Sequence, residues 1–204
     1  MTGELERGEG GELEPASIVG DLVQVRFRRA VPADAAAVLA LFDEAIAWFV
    51  RIGNTRQWGT EPASGQERWI TRVEQWCASS DTWVAEHPGV GVSGALVLGE
   101  ALEYVPAATE PEVYVRVLIG SRDPRVKGTG RRLLALAEER AQAAGVGRLR
   151  VDCYAGGSGD LVRFYEAAGF ERDVTFRVGD GIGAWPGQVL TRRVDQAGRA
   201  HLIS

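Results

Sequence analysis

The chain has 204 residues, 45% of them hydrophobic, enough to bury a sizeable core within one domain. Its net charge of −5 is local: residues 1–21 hold six of the 28 acids and one of the 23 bases, which leaves 22 of each beyond them. A neutral body without a basic face excludes nucleic acid as an evident partner, and the absence of any run of eighteen apolar residues excludes a helical membrane span. The Gly/Glu-rich segment 1–21 has no helical or strand period and is expected to be a solvated, mobile tail ahead of a single domain over 22–204. It lacks the apolar stretch of a signal peptide, so the cytoplasm is the expected location.

Val23 to Val31 alternates apolar and polar residues, the period of a half-buried strand. Pro32 and Asp34 then open a helix whose Ala35, Val38, Leu39, Phe42, Ala45, Ile46, Phe49 and Val50 recur at steps of three and four until Gly53. The capping-box pattern Ser64-Gly65-Gln66-Glu67 predicts a second helix with Trp69, Ile70, Val73, Trp76 and Cys77 on one face. Strands are expected over Thr82–Glu86 and Val92–Leu102, linked by Pro88 and Gly89, then over Val113–Ile119. A helix over Arg131–Ala144 buries Leu133, Leu136, Ala137, Ala141 and Ala144. The strand Leu149–Tyr154 follows, then a short helix over Asp160–Ala168, with closing strands over Thr175–Val178 and Val189–Val194. A meander followed by strand, helix and strand argues a mixed α/β sheet with helices on both faces. Cys77 and Cys153 fall on apolar faces, where buried reduced thiols are expected. His87 and His201 lack metal-ligand spacing, so no metal site is expected.

The loop Arg125-Val126-Lys127-Gly128-Thr129-Gly130 joins a strand to a helix N-terminus, where converging backbone N–H groups and the helix dipole favour an anion. It is not a P-loop, because Lys127 precedes Gly128. A dinucleotide fingerprint is only partly met: Leu133 stands where its third glycine belongs, although Asp152 lies at the distance of a ribose-binding acid. Too little chain follows Asp152 for a second mononucleotide-binding half.

Arg125 to Gly130 fits the pattern Gln/Arg-x-x-Gly-x-Gly/Ala of the GNAT superfamily of N-acetyltransferases. The segment Tyr114-Val115-Arg116-Val117-Leu118-Ile119-Gly120 resembles the strand before that loop, and Leu161 to Phe170 resembles the later Phe/Tyr-Tyr-Glu-x-x-Gly-Phe signature. The order and separation of the two motifs make the resemblance specific; it covers roughly residues 23 to 194. It implies a mostly antiparallel central sheet of six to seven strands, splayed in the middle, with helices on both faces. It also implies acetyl-CoA as cosubstrate, no metal, and direct acetyl transfer to an amine. Amides from Val126 to Arg131 would cradle the pyrophosphate, with charge from Arg125 and from Lys127, the only lysine. Leu118, Ile119 and Gly120 match the strand positions that receive the pantetheine arm. Gly120 departs from the usual apolar residue, which marks either a bulge or a strand end.

Amine acetylation requires a neutral nucleophile, a route for its proton and protonation of the departing thiolate. Tyr165 matches the tyrosine that donates to sulfur in the family. Glu112, on one strand face with Tyr114, is the first candidate for the base, with Glu103 and Asp152 behind it. The acceptor is expected against the first two helices, the loop Asn54–Ala63 and the late loop Gly179–Gly187. Trp48, Phe49, Trp58, Trp69 and Trp185 are the aromatic residues available there. Phe49 and Trp69 fit core stripes, while Trp58 and Trp185 suit a pocket. The reading is an N-acetyltransferase for a small primary amine: an amino acid, a polyamine or an amine-bearing antibiotic. A protein N-terminal or lysine acetyltransferase, a non-catalytic acyl-CoA sensor and, more distantly, a nicotinamide oxidoreductase stay open. Dimers are common in the family, which leaves a homodimer open too.

Overall fold

The computed structural model of the protein describes residues 25–79, 81–179 and 184–195. The segment expected as a tail, and the start of the strand expected from Val23, lie outside them. Seven strands form one sheet in the order β1 (Arg26–Arg29), β2 (Asp81–His87), β3 (Gly91–Gly99), β4 (Val113–Gly120), β5 (Arg148–Tyr154), β7 (Trp185–Arg193), β6 (Glu171–Val178). Helices α1 (Ala35–Arg51) and α2 (Glu67–Ser79) cover one face, and α3 (Thr129–Ala144) and α4 (Asp160–Glu166) the other. Among the described residues no helix is long and apolar enough to cross a membrane.

Three helices end the same way, and each end is legible in the sequence. At Gly53, Gly145 and Gly169, with φ of 74°, 69° and 83°, the chain turns left-handed. The amide after each glycine reaches back five residues: Asn54 to Phe49, Val146 to Ala141 and Phe170 to Tyr165, at 2.8, 2.9 and 3.1 Å. This is the Schellman stop, which satisfies carbonyls the helix leaves open and needs a residue without Cβ at the turn.

Other boundaries differ from expectation. The capping box at Ser64 is absent: Ala63–Gly65 is a single 3-10 turn, Ser64 N–H donates to Asp43 Oδ1 of α1 at 3.0 Å, and α2 starts at Glu67. Strand β3 stops at Gly99 instead of Leu102, and Leu102 and Val105 fold over the sheet to cover Tyr114 and Val189. Trp185 to Gly187 belong to β7 rather than to a late loop; residues 180–183 lie outside the described residues.

Two antiparallel halves, β1–β4 and β5-β7-β6, meet only where β4 and β5 run parallel. That joint is three residue pairs, Val113–Val115 against Leu149–Val151. Just past it the register with β3 slips: Val97 faces Val117 but Leu98 faces Val115, so Arg116 is the extra residue of a β-bulge. One extra residue turns every later side chain to the opposite face and bends the strand. Val113 and Val115 accordingly pack in the α3/α4 core, whereas Val117 and Ile119 pack in the α1/α2 core. Beyond the bulge β4 keeps β3 through Gly120, while β5 keeps β7 through Tyr154. Neither pairs with the other there, so the sheet is split.

Helix α3 sits tightly over the split half of the sheet. A Cβ on Gly94 of β3 would lie 2.7 Å from Thr129 Cγ2, 2.9 Å from Leu133 Cδ1 and 3.0 Å from the Ile119 carbonyl oxygen. Gly94→Ala should therefore lift the start of α3 and cost about 1–3 kcal/mol of stability, read by denaturant unfolding. An unchanged midpoint would refute the close approach.

Candidate active site

The site is built where the split meets the start of α3. Asp123 organises the turn: its Oδ1 accepts the Arg125 N–H at 2.9 Å and its carboxylate pairs with the Arg125 guanidinium at 2.5 Å. Val126 N–H is bonded to the Asp123 carbonyl at 3.1 Å, and Lys127 N–H to that of Pro124 at 3.4 Å. The cradle expected from Val126 to Arg131 is thus narrower. Backbone amides of Gly128, Thr129, Gly130 and Arg131 have no acceptor among the described residues, the Arg132 amide being the first to close a helical bond, onto Gly128 at 3.2 Å. They form the open N-terminus of a sixteen-residue helix. Gly128 has φ of 92°, a left-handed turn that brings these amides together and favours glycine.

Arg125 is engaged with Asp123, so its charge is largely neutralised, whereas Lys127 is exposed and makes no ion pair among the described residues. Gly120 is not the bulge. It pairs regularly with Gly94 at the end of β4, and a Cβ there would stand 3.7 Å from the Gly130 amide nitrogen. Having no side chain, it leaves the space before that free amide open. Leu118, Ile119 and Gly120 all lie on the stretch of β4 that has lost β5 as a partner.

Two side chains hold this corner to the rest of the fold: Glu44, which the sequence did not single out, and Thr129 of the expected loop. Glu44 of α1 accepts the Arg122 amide at 2.6 Å and the Ser121 hydroxyl at 3.3 Å. Thr129, buried beneath the loop, donates its hydroxyl to the Val126 carbonyl at 2.7 Å.

Tyr165 stands on the α3/α4 side of the split. It lies four residues before the glycine of its helical stop, and Phe170, just past that glycine, packs edge-on against it with ring centroids 5.7 Å apart. That contact between flanking hydrophobes accompanies the Schellman turn, and it gives the Tyr-Glu-x-x-Gly-Phe spacing a structural reason. Burial among Phe164, Phe170 and the β5 side chains pushes the Tyr165 phenol up, so it stays protonated. Cys153, in the same core, is likewise pushed up to about 12 by burial and is an inert thiol; Cys77 is also buried and unpaired.

Glu112, expected on one strand face with Tyr114, immediately precedes β4, at the end where β4 is joined to β5. Its carboxylate takes an ion pair at 3.1 Å from Arg150, which is only 2% exposed and also donates to the Pro106 carbonyl. Glu103 sits in the turn after β3 and is exposed. Asp152 is placed differently: it is the first β5 residue past the three-pair joint, on the face opposite Cys153 and Tyr165. The Tyr114 hydroxyl donates to its Oδ1. Burial raises the Asp152 carboxyl above the ordinary range, with the Tyr114 bond opposing that rise. The two faces at the split therefore carry a buried protonated phenol and a half-buried carboxyl whose pKa is raised.

The side where the sequence leads one to expect the acceptor is walled by α1, α2 and the chain between them. Trp58 and Trp69 are both half-buried, their rings edge-on at 6.1 Å, and both touch Phe42. Trp69 is thus half-buried at the edge of the core, where its stripe suggested core; Phe49 is core, as its stripe implies. Trp48 lies under the Arg122 guanidinium at 3.7 Å. Trp185 packs with Tyr154 and Phe176 at the β7 end. Among the described residues no group of three or more His, Cys, Asp or Glu side chains converges as a metal site.

An anionic group with a long polar arm fits these residues: four free amides at a helix start, open space at Gly120, and an unpaired strand edge leading into the split. The family model for the acetyltransferase (GNAT) family matches residues 40–170. Among solved structures, a candidate phosphinothricin N-acetyltransferase is 20% identical, with 84% of this chain and 99% of that one covered and a TM-score of 0.61. The Salmonella typhimurium candidate acetyltransferase yncA, solved with acetyl-CoA, is 19% identical over 84% and 95%, with a TM-score of 0.57. The ribosomal-protein-alanine N-acetyltransferase of Brucella melitensis is 22% identical over 82% and 99%, with a TM-score of 0.56. No curated protein matches the sequence significantly.

The pairing of Glu112 with a buried guanidinium predicts a stability phenotype. Glu112→Ala leaves Arg150 uncompensated and should cost about 3–5 kcal/mol, measured by chemical denaturation. A loss below about 1 kcal/mol, accompanied by abolished turnover, would return Glu112 to the reaction itself.

Proposed function

The chain belongs to the GNAT family of acetyl-CoA-dependent acetyltransferases, and on that premise we propose that it moves the acetyl group directly to a primary amine of a small molecule. The observation that carries this reading is the split between β4 and β5, with free amides at its mouth and proton-handling side chains on its two faces. Amides from Gly128 to Arg131 and the Lys127 charge would hold the diphosphate, and the free edge of Leu118 to Gly120 would bond the pantetheine arm as an added strand does. When bound, acetyl-CoA supplies an acetyl group activated as a thioester.

Asp152 would take the proton released as the amine attacks. A carboxylate with a raised pKa is a better base near neutrality than an ordinary one, and the Tyr114 hydroxyl fixes the direction of its lone pairs. Tyr165 would give its proton to the departing sulfur from the opposite face, a role suited to a phenol that burial keeps protonated. Glu112 supports the Arg150 guanidinium, which lies 5.6 Å from the centre of the Tyr114 ring and so backs the Tyr114–Asp152 pair. Neither cysteine is needed, since direct transfer has no covalent enzyme intermediate.

Free-thiol release with acetyl-CoA and a panel of primary amines tests the reading. Tight CoA binding with no amine ever acetylated would leave an acyl-CoA sensor instead. The two residues have separate signatures. Tyr165→Phe should lower kcat while leaving CoA affinity unchanged, and unaltered kcat would remove Tyr165 from the chemistry. Asp152→Asn should lower kcat/KM by about 10²–10⁴. The sign with pH follows from the raised pKa: below it Asp152 is protonated and cannot accept a proton, so activity rises as pH climbs through it. The acceptor amine also deprotonates with rising pH, so log kcat/KM should climb with a slope near two at low pH, falling to about one in Asp152→Asn. An unchanged slope would exclude Asp152 as the base.

A further inference from the structure

Beside the acceptor face lies a cavity of about 360 Å³ between the chain after α1 and the first turns of α2, lined by Arg56, Gln57, Trp58, Arg68, Trp69 and Arg72 among others. Its volume suits a small molecule. Its charge is one-sided: no carboxylate is among its lining residues, and none of its three guanidiniums makes an ion pair among the described residues. Several arginines of the sheet are matched by acids, as Arg28 is with Asp34, Arg148 with Glu110 and Asp173, and Arg192 with Glu138. In the cavity the guanidinium of Arg68 reaches only the neutral Gln66 side chain, at 2.9 Å, and that of Arg72 lies 6.0 Å from the centre of the Trp69 ring.

A second observation points the same way. The indole Nε1 of Trp69 is buried and has no hydrogen-bond acceptor. Buried donors are ordinarily paired, and leaving one unpaired is costly. Three guanidiniums without an ion pair, with the neutral amide of Gln57 between them and the orphaned indole N–H in the wall behind, give a cavity rich in donors. Such a set has acceptor oxygens as its complement, held by the guanidinium forks in pairs. It opposes a second positive charge.

We propose that this cavity binds the acid group of the acceptor, so that the substrate is an amine carrying a carboxylate or a comparable oxyanion, in the manner of an amino acid, rather than a polyamine or a polycationic antibiotic. This rests on the amine-acetylation reading and narrows it. Two of the cavity's walls, Trp58 and Trp69, pack in the same cluster as Val117 and Ile119 of the split half of β4, so the cavity lies on the sheet face that carries Tyr114 and Asp152. An amino acid anchored there by its oxyanion would present its amine from that face.

Equilibrium binding keeps this test separate from turnover. Calorimetric titration of the CoA-saturated protein would use L-glutamate, L-methionine and L-phenylalanine, each as the free acid and as its C-terminal amide, together with spermidine. At least one acid should bind tenfold or more tightly than its amide, and Arg56→Gln and Arg72→Gln, both at exposed positions, should shrink that ratio severalfold with CoA affinity unchanged. No acid-over-amide preference in any pair, or tighter binding of spermidine, would overturn the proposal, as would a ratio untouched by both substitutions. Thiol release on the same compounds reports the transfer reading alone. Acids that bind without releasing thiol would keep the oxyanion site and remove the transferase function, whereas amides acetylated as well as acids would do the reverse.

Discussion

The architecture depends on a parallel joint only three residue pairs long, ended by one unpaired residue. Arg116 adds a position to β4 that β3 does not match, and the bend it introduces separates β4 from β5 while each keeps its outer neighbour. A continuous sheet would bury the backbone of Leu118 to Gly120 in ladder bonds and close the passage between the two faces. The split instead leaves that edge without a strand partner, and the side-chain reversal at the bulge lets one strand serve two cores.

Around this opening the fold fixes several groups by short-range devices. Asp123 consumes the early amides of the loop, leaving the next four to face outward. Glu44 ties the end of β4 to α1, and the contact of Thr129 and Leu133 with Gly94 sets how close α3 approaches the sheet. The Schellman stop after α4 aligns Phe170 with Tyr165. The acid and base of the proposed reaction then belong to adjacent layers of one opening: Asp152 and Cys153 are neighbours on β5 that point to opposite faces, the first toward Tyr114 and the second toward Tyr165.

Much of this was legible before any coordinates. Helical periods located α1 and α3 within two residues at most ends, because glycines at 53 and 145 leave a physical mark that sequence carries. The two motifs gave the family and the loop. The bulge was not legible, since Val113 to Ile119 is nearly continuous in apolar residues and a phase reversal at Arg116 changes no hydrophobic pattern. The buried Arg150 that pairs with Glu112 was not legible for a related reason. An arginine alternating with Asp152 reads as a solvated strand face, yet the segment after β3 folds over it and leaves it 2% exposed beside Glu112. Gly94 and Glu44 matter through contacts distant in sequence, for which one chain offers no local signal.

The claim on which the account rests is that four main-chain amides and a strand edge form a preorganised receptor for CoA. Backbone amide resonances followed by NMR during CoA titration address it directly. The account requires the largest shifts at Gly128, Thr129, Gly130 and Arg131, with Leu118 to Gly120 perturbed beside them and the joined pairs Val113–Val115 and Leu149–Val151 nearly still. CoA binding that leaves those four amides unmoved, or that shifts the joint instead, would contradict it.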